Sequence, residues 1–227
     1  MASPHAHQEI ADALLPRWTA LIDRVREGRT GPEPRTYGEQ LLRRWGEPQR
    51  RYHDLRHLRA VLHRVDQLAE FAADADSVRL AAWFHDAVYD PERSENEERS
   101  ARLAERVLTE LLVPSAVVEE TARLVRLTAD HAPDRGDANA AVLCDADLAV
   151  LAGTPEEYAA YAAAVREEYG FVPDEDFRVG RGAVLELLLA QRELFRTPPG
   201  AASWAEPARA NLRAELDRLR GKVPPIG

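Results

Sequence analysis

Cysteine, lysine and long apolar runs are almost missing from this chain of 227 residues. A single cysteine, Cys144, excludes an internal disulfide framework and a zinc finger built on thiolates. It fits a reducing compartment, so a cytoplasmic location is expected. The first ten residues are polar and contain Pro4, His5 and His7, without the charged-then-apolar pattern of a secretion signal. Apolar runs such as 80–84 and 184–190 fall far short of the roughly 20 residues that span a bilayer, so no membrane partner is expected. Lys222 is the only lysine and arginine carries the remaining positive charge, a bias that genome base composition explains without reference to function. Acidic residues outnumber basic ones by 39 to 30, and the mean field therefore repels nucleic acid. A pocket of arginines can still hold one phosphate.

Period-two alternation rich in β-branched residues is missing as well, whereas apolar residues recur at helical spacing almost everywhere. The expected fold is all-α. With 45% hydrophobic content, one domain over 1–227 with flexible ends at 1–7 and 221–227 is expected. Helices are predicted from about Gln8 to Arg26, interrupted or bent at Pro16, and around Tyr37 to Trp45 after a Gly/Pro-rich turn. A third begins near Asp54 with Leu58, Val61, Leu62, Val65 and Leu68 on one face, and a fourth runs from Ser77 to Tyr89, stopping at Asp90-Pro91. Ser94 with Glu97, Thr154 with Glu157, and Ser203 with Glu206 each read as a capping box. Between them, 117–130 and 140–151 read as helices, with left-handed stops at Gly170 and Gly221. Pro173 to Gly182 reads as a loop, followed by a helix through Val184, Leu187, Leu188 and Leu194.

The pair His85-Asp86 sits at the end of the very apolar stretch Leu-Ala-Ala-Trp-Phe-His-Asp-Ala-Val-Tyr. Two polar groups there must be paired or must bind something, because burying them unsatisfied costs a few kcal/mol. A divalent ion would satisfy both, and a bland alternative is a helix-end aspartate beside a core histidine. Upstream, in Arg51-Tyr52-His53-Asp54-Leu55-Arg56-His57, His57 opens an amphipathic helix. Downstream, Leu143-Cys144-Asp145-Ala146-Asp147-Leu148 embeds two carboxylates in an apolar helix. His57 can be merely a polar helix start, and Asp145 or Asp147 can pair with an arginine.

The order of a histidine, a His-Asp pair and a later aspartate resembles the HD superfamily of metal-dependent phosphohydrolases. More narrowly, the strings Tyr52-His53 with His57, Trp83-Phe84-His85-Asp86-Ala87-Val88-Tyr89-Asp90, Asn96-Glu97-Glu98 with Ser100-Ala101, Asp145-Ala146-Asp147-Leu148 and Arg166-Glu167-Glu168-Tyr169 resemble a bacterial branch of predicted HD-type hydrolases, from about Tyr37 to Leu219. The resemblance implies a compact helical HD-type bundle that hydrolyses a small phosphate ester or nucleotide with metal-activated water. It implies one divalent ion (Mn, Co, Ni, Zn, Fe or Mg) held by His57, His85, Asp86 and Asp147. Asp147 is preferred to Asp145 because Ala146 and Leu148 flank it as in the family pattern. His131 is the one histidine between Asp86 and Asp147, so the two-metal pattern of HD-type di-iron oxygenases is short of a ligand and His131 is assigned to the substrate site. Its alternative role is a residue ending a helix before Pro133.

Asp90 and Glu97 are candidates to orient the water or take its proton, although the capping box also accounts for Glu97. Arg51 and Arg166 are candidates to contact the phosphate because guanidinium groups offer paired donors in a fixed fork, with a solvated charge as the bland alternative for each. His53 is a candidate to support the ligands, to donate to the phosphate or simply to cap the helix. Two rival readings stand beside this one. The run His53-Asp54-Leu55-Arg56-His57 resembles a zinc-protease signature with a shortened carboxylate. A helical scaffold or ligand sensor can retain the HD shape without the chemistry.

Overall fold

The computed structural model describes residues 4–221, and every regular element among them is helical. The all-α expectation holds. The sequence reading expects one domain, while the chain clusters into two compact units, Met1–Ala146 and Asp147–Gly227. Of the ends expected to be flexible, residues 4–7 form the start of the first helix and Gly221 adopts the left-handed conformation of a helix stop, φ 69°. The rest of both ends, 1–3 and 222–227, lies outside the described residues. No helix among the described residues is long and apolar enough to cross a membrane.

The first unit contains α1 (Pro4–Val25), α2 (Pro34–Trp45), α3 (Leu55–Gln67), α4 (Ala75–Phe84), α5 (Asn96–Glu110), α6 (Ser115–Leu127) and most of α7 (Ala138–Leu148). Pro16 lies inside α1, which continues through it. Helix α1 packs on α2, α3 and α4, while α6 packs on α4 and α5. The apolar face predicted for α3, from Leu58 through Leu68, is wholly buried. Around it, Trp18 meets Trp83 and Phe84 edge-on with ring centroids 5.3 and 5.9 Å apart. Its indole N–H is satisfied by the Pro34 carbonyl at 2.8 Å. Gly38 lets α2 come this close, because a Cβ there would lie 2.5 Å from Trp18 Cδ1.

The second unit holds α8 (Pro155–Glu168), α9 (Asp174–Ala190), the short α10 (Pro198–Ser203) and α11 (Ala205–Leu219). Tyr158, Leu185, Phe195, Leu212 and Leu216 form its core. The capping box of Thr154 and Glu157 forms as predicted. The other two do not. Helix α5 starts after Glu95 and α11 after Trp204, neither with a side-chain cap, and Ser203 is the last residue of α10. Gly170 is not left-handed; its N–H closes a turn onto the Glu167 carbonyl at 3.1 Å.

The loop expected over 173–182 is the first half of α9 instead. Three carboxylates in its first turn, Asp174, Glu175 and Asp176, complement the positive end of the helix dipole and favour a helix start there, and the helix carries Gly180 and Gly182 in its interior. The helix ends at Ala190, so Leu194 lies beyond it, buried in the following segment.

Candidate metal centre

His57 is placed by a helix cap. The Asp54 carboxylate accepts from the backbone N–H groups of Arg56 and His57 at 2.8 and 3.4 Å, which starts α3 at Leu55 and puts His57 in its first turn. The ring is turned inward, one turn before buried Val61.

His85 and Asp86 follow the last residue of α4, five residues earlier than the predicted end at Tyr89. Distant side chains satisfy the backbone groups that the early stop releases. Trp45 Nε1 donates to the Trp83 carbonyl at 3.0 Å, Arg50 donates to the carbonyls of Asp86 and Ala87 at 2.8 and 3.4 Å, and Ser100 Oγ both accepts from and donates to the Val88 backbone. The bend turns both side chains toward His57.

His85 is 1% exposed, with Nδ1 2.9 Å from the Ala82 carbonyl. A carbonyl only accepts, so in the neutral ring Nδ1 carries the proton and Nε2 keeps its lone pair. That Nε2 lies 3.2 Å from His57 Nε2 and 3.2 Å from Asp86 Oδ2, and the same carboxylate oxygen is 3.8 Å from His57 Nε2.

Asp147 supplies the next carboxylate. Helix α7 is anchored at its start by Asn139, whose amide accepts from Asp74 N and donates to Glu120, both at 2.8 Å. Ligand atoms of His57, His85 and Asp147 all lie within 4.8 Å of one another. Asp145 lies two residues earlier and therefore on a different face of α7, with 1% exposure. The structure thus gathers His57, His85 and Asp147, with Asp86 in contact with both histidines. Two nitrogen ligands each ~2.0–2.1 Å from an ion in tetrahedral geometry stand about 3.3 Å apart, so the histidine spacing fits a divalent cation. Imidazole with carboxylate is a donor set for borderline or hard ions.

The remaining sequence-predicted residues fall at varied places. His53 is beside the cluster, with Nε2 4.0 Å from Asp86 Oδ2 and its ring 4.3 Å from that of Tyr89. It precedes α3, so His53 and His57 are not on successive turns of one helix, the arrangement a zinc-protease signature requires. Asp90 organises its own turn: the carboxylate accepts from Arg93 Nε at 3.0 Å and Glu92 N at 3.1 Å. Its backbone is tied to the Asn96 side chain. Glu97 is half-buried in the first turn of α5, without the Ser94 partnership that competed for it.

His131 ends the turn after α6 in a left-handed conformation, φ 50°, with its N–H on the Leu127 carbonyl at 3.0 Å. The Arg51 guanidinium donates to the Pro48 and Arg50 carbonyls. Arg166 lies in the second unit, where it donates to the Tyr169 and Val172 carbonyls and to Asp174 at 2.6, 2.9 and 2.7 Å. Its guanidinium also sits 4.5 Å from the Phe177 ring centroid. Arg166 therefore ties the turn after α8 to the start of α9, a structural task that the sequence reading did not anticipate.

Arg50 is the site residue that sequence reasoning missed. In the sequence it is one more arginine in an arginine-rich segment, next to Arg51, and nothing local marks it as buried. No family model, curated protein or solved structure matches the chain.

Proposed function

We propose that the chain is a metal-dependent phosphohydrolase of HD type, acting on a small phosphate ester or nucleotide with one divalent ion held by His57, His85, Asp86 and Asp147. The observation that supports this reading is the convergence of two inward-facing imidazoles and Asp147 within 4.8 Å, from three separate helices or helix ends. Structural histidines need no such convergence.

The protein's own groups divide the work. The Ala82 carbonyl fixes the His85 tautomer that offers Nε2 to a ligand, at 2.9 Å. The side chains of Asp86 and His53 are 15% and 22% exposed, against 4% and 1% for His57 and His85, so they are more open to solvent than the two histidines beside them. In this reading the His53 imidazole donates to a phosphoryl oxygen of the substrate. When bound, the ion supplies Lewis-acid stabilisation of charge on phosphorus oxygens and lowers the pKa of water. The net charge of −9 favours a small substrate over a polyanion.

The test combines metal analysis of untagged protein with a screen of phosphate compounds against several divalent ions, read by phosphate release. About one equivalent of ion in the wild type, lost in His85→Ala and Asp86→Ala together with phosphate release, is the expected result. Bound ion without turnover of any phosphate compound would indicate a metal-binding scaffold. Wild-type protein that binds no divalent ion would overturn the reading at its base.

A further inference from the structure

Arg50 has a fully buried side chain, 0% exposed, and pairs at 3.3 Å with Glu47, a carboxylate that is itself 36% exposed. A buried guanidinium needs several partners to offset its lost hydration. Backbone carbonyls provide them. A single nitrogen, Nη1, donates to the His53 carbonyl at 2.9 Å and to the Asp86 carbonyl at 2.8 Å, and Nη2 reaches the Ala87 carbonyl at 3.4 Å. The first belongs to the turn entering α3, the others to the bend leaving α4. Two aromatic rings flank the cation, Trp45 and Tyr89, each with its centroid 5.4 Å from Cζ. Each ring also presses on a histidine: Trp45 on His85 at 5.3 Å, Tyr89 on His53 at 4.3 Å.

We propose that Arg50 is the positioning residue of the centre, clamping the His53–His57 turn to the His85–Asp86 bend through their carbonyls so that the ligands stand at coordination spacing before an ion arrives. The proposal rests on the metal-site reading for its function, and on the carbonyl geometry for its structure. Lysine cannot replace the fork, because an ammonium is a point donor that cannot span three carbonyls.

Arg26 is a matched control. It is also buried and also bonds carbonyls, those of Leu111 and Pro32 at 2.6 Å each, away from the ligands. Arg50→Lys, Arg50→Gln and Arg26→Lys are compared with wild type by Co2+ titration, followed by its d–d absorption. In the metal-free proteins, the NMR cross-peaks between the His57 and His85 rings, whose centroids are 5.3 Å apart, are compared as well. Both Arg50 variants should weaken Co2+ binding roughly 10–100-fold and lose the cross-peaks, while Arg26→Lys keeps both.

Cross-peaks lost in the Arg50 variants of a wild type that binds no Co2+ would sink the metal reading and leave the clamp standing. Cross-peaks retained in either folded Arg50 variant would overturn the clamp, whatever the metal does. Unfolding of both Arg50 variants beside a folded Arg26→Lys would make Arg50 a residue of general stability and also overturn it.

Discussion

The Nε2 atoms of His57 and His85 stand 3.2 Å apart, brought together across 28 residues of chain, and the ring of His85 is oriented by a hydrogen bond from Nδ1 to Ala82 rather than by His57. A backbone carbonyl thus sets the tautomer, and a helix cap sets the other ring's height. Neither ring has to move for the two nitrogens to face one centre. Such preorganisation raises affinity because the ordering cost is met during folding.

The two aspartates of α7 should behave differently when neutralised. Asp147→Asn removes a carboxylate from the cluster and should lower divalent-ion affinity more than tenfold with little loss of stability. Asp145→Asn alters a buried group outside the cluster, so it should leave ion binding within a few-fold while costing about 1–3 kcal/mol in urea unfolding. The reverse pattern would exchange their roles.

Acid should expose a tie between α5 and α6. Glu98 accepts from Arg126 at 2.6 Å and from Arg102 at 2.7 Å, and these hydrogen bonds, with Arg126 the larger, hold its carboxyl down at about 2, against an ordinary 4.5. Because the folded-state value is lowered, the contribution is complete above about pH 4.5 and disappears as pH falls toward 2. The melting temperature of wild type should therefore slightly exceed that of Glu98→Gln at pH 7, and the two should converge near pH 2. The difference should also shrink in high salt, since both partners reach solvent.

The helices and their apolar faces were legible because they depend on local periodicity. Leu58 through Leu68 could be assigned to one buried face from spacing alone, and Asp54 and Thr154 announced helix starts through short-range chemistry. The early end of α4 was hidden because what replaces its helical hydrogen bonds, Trp45, Arg50 and Ser100, comes from elsewhere in the chain. The first half of α9 was hidden for the opposite reason: its start is marked locally, by Asp174, Glu175 and Asp176, in a stretch that also holds Gly180 and Gly182. His85-Asp86 stood out as polar groups against apolar surroundings and His57 as the opening of an amphipathic helix, whereas the choice between Asp145 and Asp147 depends on which face of α7 turns to the histidines. Residue type alone leaves that choice open.

The second unit's core has a polar element whose parts should be unequal in mutation. The Glu215 carboxylate accepts from Arg181 at 2.8 and 3.0 Å and from the Tyr158 hydroxyl, with the Arg181 and Glu215 side chains 9% and 8% exposed. Glu215→Ala strands a buried cation and a buried hydroxyl together and should cost about 3–5 kcal/mol in urea unfolding. Tyr158→Phe leaves the ion pair intact and should cost about 0.5–1.5 kcal/mol. An apolar exchange of both ionic partners, Arg181→Met with Glu215→Leu, should recover much of the loss seen in Glu215→Ala, because it removes the stranded charge along with the pair. If the double variant were instead the least stable of the three, the ion pair itself, rather than the penalty for leaving Arg181 alone, would be what holds α9 to α11.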